Sequence, residues 1–141
     1  MKRMSKVAIT SLLAGATMMG QAAAQEITLK ASHDANKDEP YHLGMVRMAE
    51  LLEENTNGKA TINVFPNAQL GEEVESIEGV KLGTIDIAVT ANAKFVNFVE
   101  GMKVFSMPFL FENAEHMDRA LSNEKVQEQI SQITSEKGFR V

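Results

Sequence analysis

The chain has 141 residues, of which 44% are hydrophobic and 23% charged, a balance typical of a folded globular protein. Its formal net charge is −5, so its surface should repel nucleic acid and anionic lipid headgroups, and nucleic acid is not an expected partner. The sequence contains no cysteine, which excludes disulfide bonds and thiol nucleophiles.

Residues 1–24 have the pattern of a secretory signal peptide. Basic residues near the start precede an acid-free apolar run over 7–19, and small residues follow up to Ala24. A membrane-spanning helix is the alternative, but it needs about 20 continuous apolar residues, and this run is shorter and interrupted by polar side chains. We therefore expect cleavage after Ala24, export, and no direct membrane insertion of the mature chain, residues 25–141.

Hydrophobic periodicity predicts two strand-and-helix units after the signal peptide. Alternating apolar residues predict a strand over 27–31, and Pro40 suits the first turn of the helix that follows. Asn57-Gly58 is expected to end that helix. Alternation then predicts a second strand over 60–65, which Pro66 ends because proline has no backbone N–H for the ladder.

The stretch 65–73, FPNAQLGEE, predicts a tight crossover from the second strand into a second helix. Gly83 is expected to end this helix, and Gly79 inside it to be a close packing point. The run 85–89 is nearly apolar on both faces, as is typical of a strand buried in a parallel sheet. Strands that alternate with helices across short connections predict an α/β fold with a mainly parallel sheet flanked by helices.

Several further elements are predicted in the remainder of the chain. Residues 104–111 are the most apolar stretch of the mature chain and are expected to enter the core. Asn113 and Ser122 are each expected to cap a helix, the second of which ends at Gly138. Residues 139–141 are predicted to begin a fourth strand. Because three residues are too few for a stable strand, we expect this chain to be a fragment of a longer protein.

Polar residues follow each predicted strand, and the carboxyl ends of parallel strands meet at the edge where α/β sheets hold ligands. These groups are Ser32-His33-Asp34, Pro66-Asn67 and Thr90-Ala91-Asn92. Glu73 opens the second helix nearby and could accept a hydrogen bond from a ligand, or only balance the helix dipole, worth about 0.3–1 kcal/mol. Asn92 could likewise bind a ligand or shape its own loop.

Metal, cofactor and catalytic sites are the alternatives. Five possible metal ligands lie within ten residues, namely His33, Asp34, Asp38, Glu39 and His42, but their spacing matches no compact zinc pattern, and a polar loop explains them. No Gly-rich phosphate loop accompanies the aromatic residues of 95–111, so we expect no cofactor. The serines lack the context of a hydrolase nucleophile, and Glu72 and Glu73 lie on different faces of one helix. A hydrolase and an adaptor without a ligand are the alternative functions.

Several motifs, in this order and spacing, resemble the extracytoplasmic solute-binding proteins of tripartite ATP-independent periplasmic (TRAP) transporters. They are Ser32-His33, Pro40, Asn57-Gly58-Lys59, FPNAQLGEE (65–73), LGTIDIAV (82–89) and VFSMPFLF (104–111), and the resemblance covers residues 26–141. It implies a two-lobed periplasmic binding protein, not an enzyme, that closes on a small organic anion such as a dicarboxylate or a sugar acid. It also implies delivery of that anion to the membrane subunits of a TRAP transporter. Residues 25–141 would then be the first lobe of this periplasmic-binding-protein-like fold.

The resemblance further implies which residues contact the ligand. By position they are His33, Asp34, Glu73, Thr90, Ala91 and Asn92. Relatives that bind sialic acid have an acidic residue where this chain has Ala91, so sialic acid is a disfavoured ligand. In the family an arginine of the second lobe grips the ligand carboxylate, and no residue of this sequence corresponds to it.

Overall fold

The computed structural model describes residues 26–141, so the predicted signal peptide, residues 1–24, lies outside the described residues. The elements, in chain order, are β1 (Ile27–Ser32), α1 (Pro40–Thr56), β2 (Ala60–Phe65), α2 (Glu73–Leu82), β3 (Ile87–Ala88), α3 (Asn92–Phe95), a 3₁₀ helix (Glu100–Ser106), α4 (Ala114–Leu121) and α5 (Glu124–Ser135).

The three strands form one parallel sheet in the order β2-β1-β3. Ile27 of β1 lies opposite Ala60 of β2, and Ala31 of β1 lies opposite Ile87 of β3. Each crossover contains a helix, α1 or α2, which returns the chain so that the next strand runs in the same direction. The predicted α/β class, with a parallel sheet flanked by helices, is confirmed.

The third strand is shorter than the predicted run over 85–89, since only two of its residues pair with β1. The side chain of Ile85 is buried before the strand begins. The Asp86 carboxylate then accepts a hydrogen bond of 2.7 Å from the Lys30 N–H. Among the described residues β3 is an edge strand, and Ile87 and Val89 are therefore only half-buried rather than covered on both faces.

The predicted helix ends of the first two units are confirmed. Pro40 opens α1, and Asn57 closes it in the left-handed conformation with φ 51°. Gly83 closes α2 with φ 74°, a conformation that glycine adopts without steric cost. Gly79 is buried, and a Cβ at this position would lie 2.7 Å from Ile85 Cδ1, so the predicted close packing point is confirmed.

The core is built around five buried side chains: Ile77, Val99, Met102, Ile130 and Phe139. The Phe139 ring packs edge-on against Phe95, with 5.2 Å between ring centroids, and against Phe98, at 6.2 Å. The prediction of a strand over 139–141 is wrong for the described chain. These residues form no strand, and the Phe139 ring instead packs against Phe95 and Phe98.

Only part of the apolar stretch 104–111 packs against the core as expected. Residues three apart lie on the same side of a 3₁₀ helix, so Met102 and Phe105 point inward while Val104 remains 43% exposed. Beyond the 3₁₀ helix Met107 is 59% exposed and Phe109 fully exposed, the latter with φ 61°. The order of apolar residues alone could not show where this helix would end.

The last two helices lie where predicted, with two corrections that concern the start and the end of α5. The Asn113 side chain caps α4 by accepting a hydrogen bond of 2.8 Å from the His116 N–H. Asn123, not Ser122, caps α5, and its side chain accepts from the Lys125 N–H at 3.1 Å. Ser122 instead ends α4, because its N–H donates to the Asp118 carbonyl. Helix α5 ends at Ser135, before Gly138.

Candidate functional site

The carboxyl ends of β1 and β2 are tied together by backbone hydrogen bonds. The His33 N–H donates to the Phe65 carbonyl, and the Ala68 N–H donates to the His33 carbonyl at 3.1 Å. Asn67 and Ala68 turn the chain with φ of 54° and 53°. The strand end that carries His33 and Asp34 therefore lies directly beside the FPNAQLGEE crossover. We refer to the carboxyl ends of the three strands, with the first turn of α2, as the polar edge.

Two buried serines support this edge from below. Ser32 ends β1 and Ser76 lies in α2, and their hydroxyl oxygens are 2.9 Å apart. The Ser76 hydroxyl also lies 3.1 Å from the Gly71 carbonyl oxygen, to which it can donate. Both side chains are almost completely buried. These hydrogen bonds join the sheet to the start of α2. The sequence did not predict that Ser32 and Ser76 contact each other. A serine among the inward positions of α2 was the signal that could have found it.

Glu73 connects α2 to the segment after β3. Its Oε1 accepts a hydrogen bond of 2.5 Å from the Ala91 N–H. The side chain is half-buried, and its second oxygen, Oε2, makes no hydrogen bond within the described residues. Two predicted contact residues, Glu73 and Ala91, are thus brought into direct contact.

Asn92 holds the same segment from its other end. Its Nδ2 donates to the Met102 carbonyl at 3.2 Å and to the Ser106 hydroxyl at 2.9 Å. Its Oδ1 is buried and has no hydrogen-bond partner among the described residues. Asn92 therefore ties the segment after β3 to the 3₁₀ helix rather than forming a turn with its own loop.

The other predicted contact residues lie on the same edge in different environments. Asp34 is exposed and Thr90 half-buried. The His33 ring is only 1% exposed, and its Nε2 lies 3.2 Å from Nδ1 of His42 in α1. Within residues 26–141 no hydrogen bond joins the His33-Asp34 group to Thr90, Ala91 or Asn92, although the Val89 N–H donates to the Ser32 carbonyl between them.

The His33 ring is in an environment that disfavours its charged form. Burial lowers the pKa of His33 below its ordinary value of 6.5, and the neighbouring His42 lowers it further. The carboxylates of Asp34 and Glu39 oppose this shift and are the weaker influence. The ring is thus set up to be neutral near pH 7.

A groove of about 530 Å³ runs beside the edge of β3. Its lining is mostly apolar and includes Ile77, Phe95 and Phe139, with Thr90 and Asn92 also among the lining residues. Its lining includes none of His33, Asp34 or Glu73. Of the six predicted contact residues, the groove thus includes Thr90 and Asn92, and its mostly apolar lining offers few partners to a hydrogen-bonding ligand.

The described part of the chain contains neither a metal-ligating cluster nor a membrane-spanning helix. No group of three or more His, Cys, Asp or Glu side chains there is arranged to hold a metal ion. None of its helices combines the length and apolar character needed to cross a bilayer.

The model of the bacterial extracellular solute-binding protein family 7 matches residues 31–141. The chain belongs to this family. The family match covers almost all of the described residues, and the resemblance drawn from the ordered motifs is confirmed.

Two named relatives are also solute-binding proteins. A solute-binding protein of Roseobacter denitrificans is 39% identical over 114 residues, which are 81% of this chain and 34% of the relative. The C4-dicarboxylate-binding periplasmic protein DctP of Vibrio cholerae is 34% identical over 104 residues, 73% of this chain and 31% of the relative. The chain thus spans about a third of the length of these relatives.

Solved structures of TRAP periplasmic solute-binding proteins have the same fold. The structure of the Roseobacter denitrificans protein, with bound L-galactonate, superposes with a TM-score of 0.72 and 38% identity, over 79% of this chain and 37% of that one. A Sulfurospirillum deleyianum protein with bound succinate gives 0.73 and 35%, over 81% of this chain and 36% of that one.

Proposed function

We propose that this family 7 chain binds a small organic anion in the periplasm and delivers it to the membrane subunits of a TRAP transporter. Residues 25–141 would form the first lobe of a two-lobed receptor, after removal of the signal peptide over 1–24. The observation that carries the proposal is the meeting of β1, α2 and the segment after β3 at one polar edge, where Glu73 contacts Ala91. Contacts from both lobes would favour a closed, ligand-bound state.

The polar edge offers mainly hydrogen-bond acceptors. Of the six proposed contact residues, Asp34 and Glu73 carry carboxylates, Asn92 has a buried carbonyl oxygen without a partner, and none is Lys or Arg. Acceptors suit the hydroxyl groups of a ligand, whereas a ligand carboxylate needs cationic or N–H donors. We therefore infer that this lobe holds the hydroxylated part of the ligand and that the charge is neutralised elsewhere.

This division of roles favours sugar acids and hydroxy acids over plain dicarboxylates. The L-galactonate in the Roseobacter denitrificans structure has hydroxyl groups along its whole length, and the succinate in the Sulfurospirillum deleyianum structure has none. A ligand of the first kind would use the acceptors of the polar edge, while a ligand of the second kind would leave them without donors, at a cost of about 1–3 kcal/mol for each desolvated group.

Titration calorimetry of the full-length, two-lobed protein against a ligand panel tests the proposal. The panel contains L-galactonate, D-galacturonate, L-malate, succinate and N-acetylneuraminate, with galactitol as the uncharged analogue of galactonate. We expect at least one hydroxylated carboxylate to bind, more tightly than succinate, and galactitol and N-acetylneuraminate not to bind. The absence of binding by every carboxylate, or equal binding of galactitol, would contradict the proposal.

We also infer that binding leaves the ligand unchanged. The relatives named above are solute-binding proteins. NMR spectra of the ligand before and after a day with the protein should be identical. A new product signal would favour the hydrolase alternative, whereas no binding at all would favour the adaptor.

A further inference from the structure

Two histidines from different elements meet beside the polar edge. His33 follows β1 and His42 lies in the first turn of α1, with 3.2 Å between His33 Nε2 and His42 Nδ1. The ring centroids are 5.3 Å apart and the rings are tilted by 59°. His33 is 1% exposed, and its other ring nitrogen, Nδ1, is buried with no hydrogen-bond partner among the described residues.

The number of protons on this pair decides whether the hydrogen bond can exist. A bond between two imidazoles needs an N–H on one ring and a lone pair on the other. Two neutral rings meet this requirement, and so does a pair with one extra proton. A second extra proton places two N–H groups face to face at 3.2 Å and puts two positive charges side by side. The bond must then break.

The surroundings of the pair decide how readily protons are added. The charged and titratable groups that act on His33 are His42 from α1 and the carboxylates of Asp34 and Glu39 from the connecting loop. From the β2 side the neighbour is the backbone of the crossover, where the Ala68 N–H donates to the His33 carbonyl. Burial outweighs the two carboxylates and favours a neutral His33.

We propose that the His33–His42 pair is an acid-sensitive link that holds the end of β1 against α1 at neutral pH and opens in acid. His42 is the positioning residue of this link, because it supplies the only side-chain partner of the buried His33 ring among the described residues. Since the His33 backbone also pairs with Phe65 and Ala68, opening would disturb the crossover of the polar edge. The link concerns the site of the proposed function but requires no ligand for its test.

The direction of the pH effect follows from proton counting. In the folded chain the pKa of His33 lies below 6.5, so in mildly acidic solution the unfolded chain binds more protons than the folded one. The stability that the neutral pair contributes is therefore present at neutral pH. It is lost as the pH falls through about 6.5 and towards the lower pKa of the folded state.

Histidine-resolved NMR titration tests the link in the protein without ligand, in the presence of EDTA to exclude bound metal ions. The sequence has three histidines, and His116 on α4 serves as the internal control. The variant His42→Gln keeps a hydrogen-bonding partner for His33 but removes the imidazole that can carry a positive charge beside it. His33 should therefore take up its proton at a higher pH than in the native protein. His116→Gln should leave the His33 titration unchanged. An identical His33 titration in the native protein and in His42→Gln would overturn the proposal.

Urea unfolding at pH 7.5 and 5.5 gives an independent readout. Between pH 7.5 and pH 5.5 the unfolding equilibrium constant of the native protein should rise. The rise should exceed the one that the carboxylates alone cause by a factor of up to about ten, since one histidine of pKa about 6.5 is protonated only on unfolding. His33→Gln should lack this increment, and His116→Gln should retain it. The same pH dependence in the native protein and in His33→Gln would overturn the proposal. If His33→Gln does not fold, the titration of His42→Gln still decides.

Discussion

Glu73 and Asn92 each use one side-chain group to hold the segment after β3, and each has an oxygen left over. A binding site must be held in shape before ligand arrives, and groups that bridge elements do this. The residue types and their position at the strand ends could be predicted from the sequence. Their partners could not, because Ala91 and Met102 take part through the backbone, which no sequence pattern marks.

The Ser32–Ser76 hydroxyl pair provides a test at the same scale. Ser76→Ala leaves the buried Ser32 hydroxyl and the Gly71 carbonyl without their partner, so the free energy of unfolding should fall by about 1–3 kcal/mol. Urea denaturation measures the change. Ser131→Ala on the exposed face of α5 is the matched control and should change it by less than about 0.5 kcal/mol.

The double variant Ser32→Ala with Ser76→Ala sharpens this test. Removing both hydroxyls leaves no buried serine without a partner, so the double variant should be less destabilised than the sum of the two single variants. Strict additivity would mean that the two hydroxyls do not depend on each other.

At the scale of secondary-structure elements, the ends of α1 and α2 were well predicted from the sequence. Asn57 and Gly83 end helices through a left-handed conformation that few other residues adopt, so their identity decides the structure locally. Ser122 and Asn123 are equally good capping residues, so residue type alone does not decide between them. Within 104–111 the burial of Met107 and Phe109 was mispredicted, because hydrophobicity indicates a tendency to be buried but not the partner that covers it.

The two helical glycines Gly79 and Gly44 make a matched comparison at the scale of elements. A Cβ at Gly79 would lie 2.7 Å from Ile85 Cδ1, so Gly79→Ala should lower the free energy of unfolding by about 1–3 kcal/mol through overpacking. A Cβ at Gly44 in α1 would meet nothing within 4 Å. Gly44→Ala should therefore raise stability by about 0.5–1 kcal/mol through helix propensity. Thermal unfolding of both variants checks the opposite signs, and destabilisation by both would contradict the packing account.

At the scale of the whole molecule, the order of strands and helices predicted the parallel sheet because right-handed crossovers leave few arrangements. The length and edge position of β3 were not predictable, since they depend on which segments pair with it. The polar edge was predicted from topology alone, whereas the pairing of His33 with His42 requires the loop over 34–39 to bring α1 back onto the strand end.

The comparison of Glu73→Gln with Glu72→Gln tests the central proposal, that the polar edge binds the ligand, most directly. Glutamine at 73 can still accept from the Ala91 N–H but loses the charge, and Glu72 is an exposed neighbour one residue away. Both variants are made in the full-length, two-lobed protein and titrated by calorimetry with the panel carboxylate that binds the native protein most tightly. Glu73→Gln should weaken binding by about tenfold or more, since hydrogen bonds to charged groups are worth about 1.5–3 kcal/mol. Glu72→Gln should bind like the native protein. Unchanged affinity in Glu73→Gln, with the native melting temperature retained, would contradict the assignment of the polar edge as the ligand site.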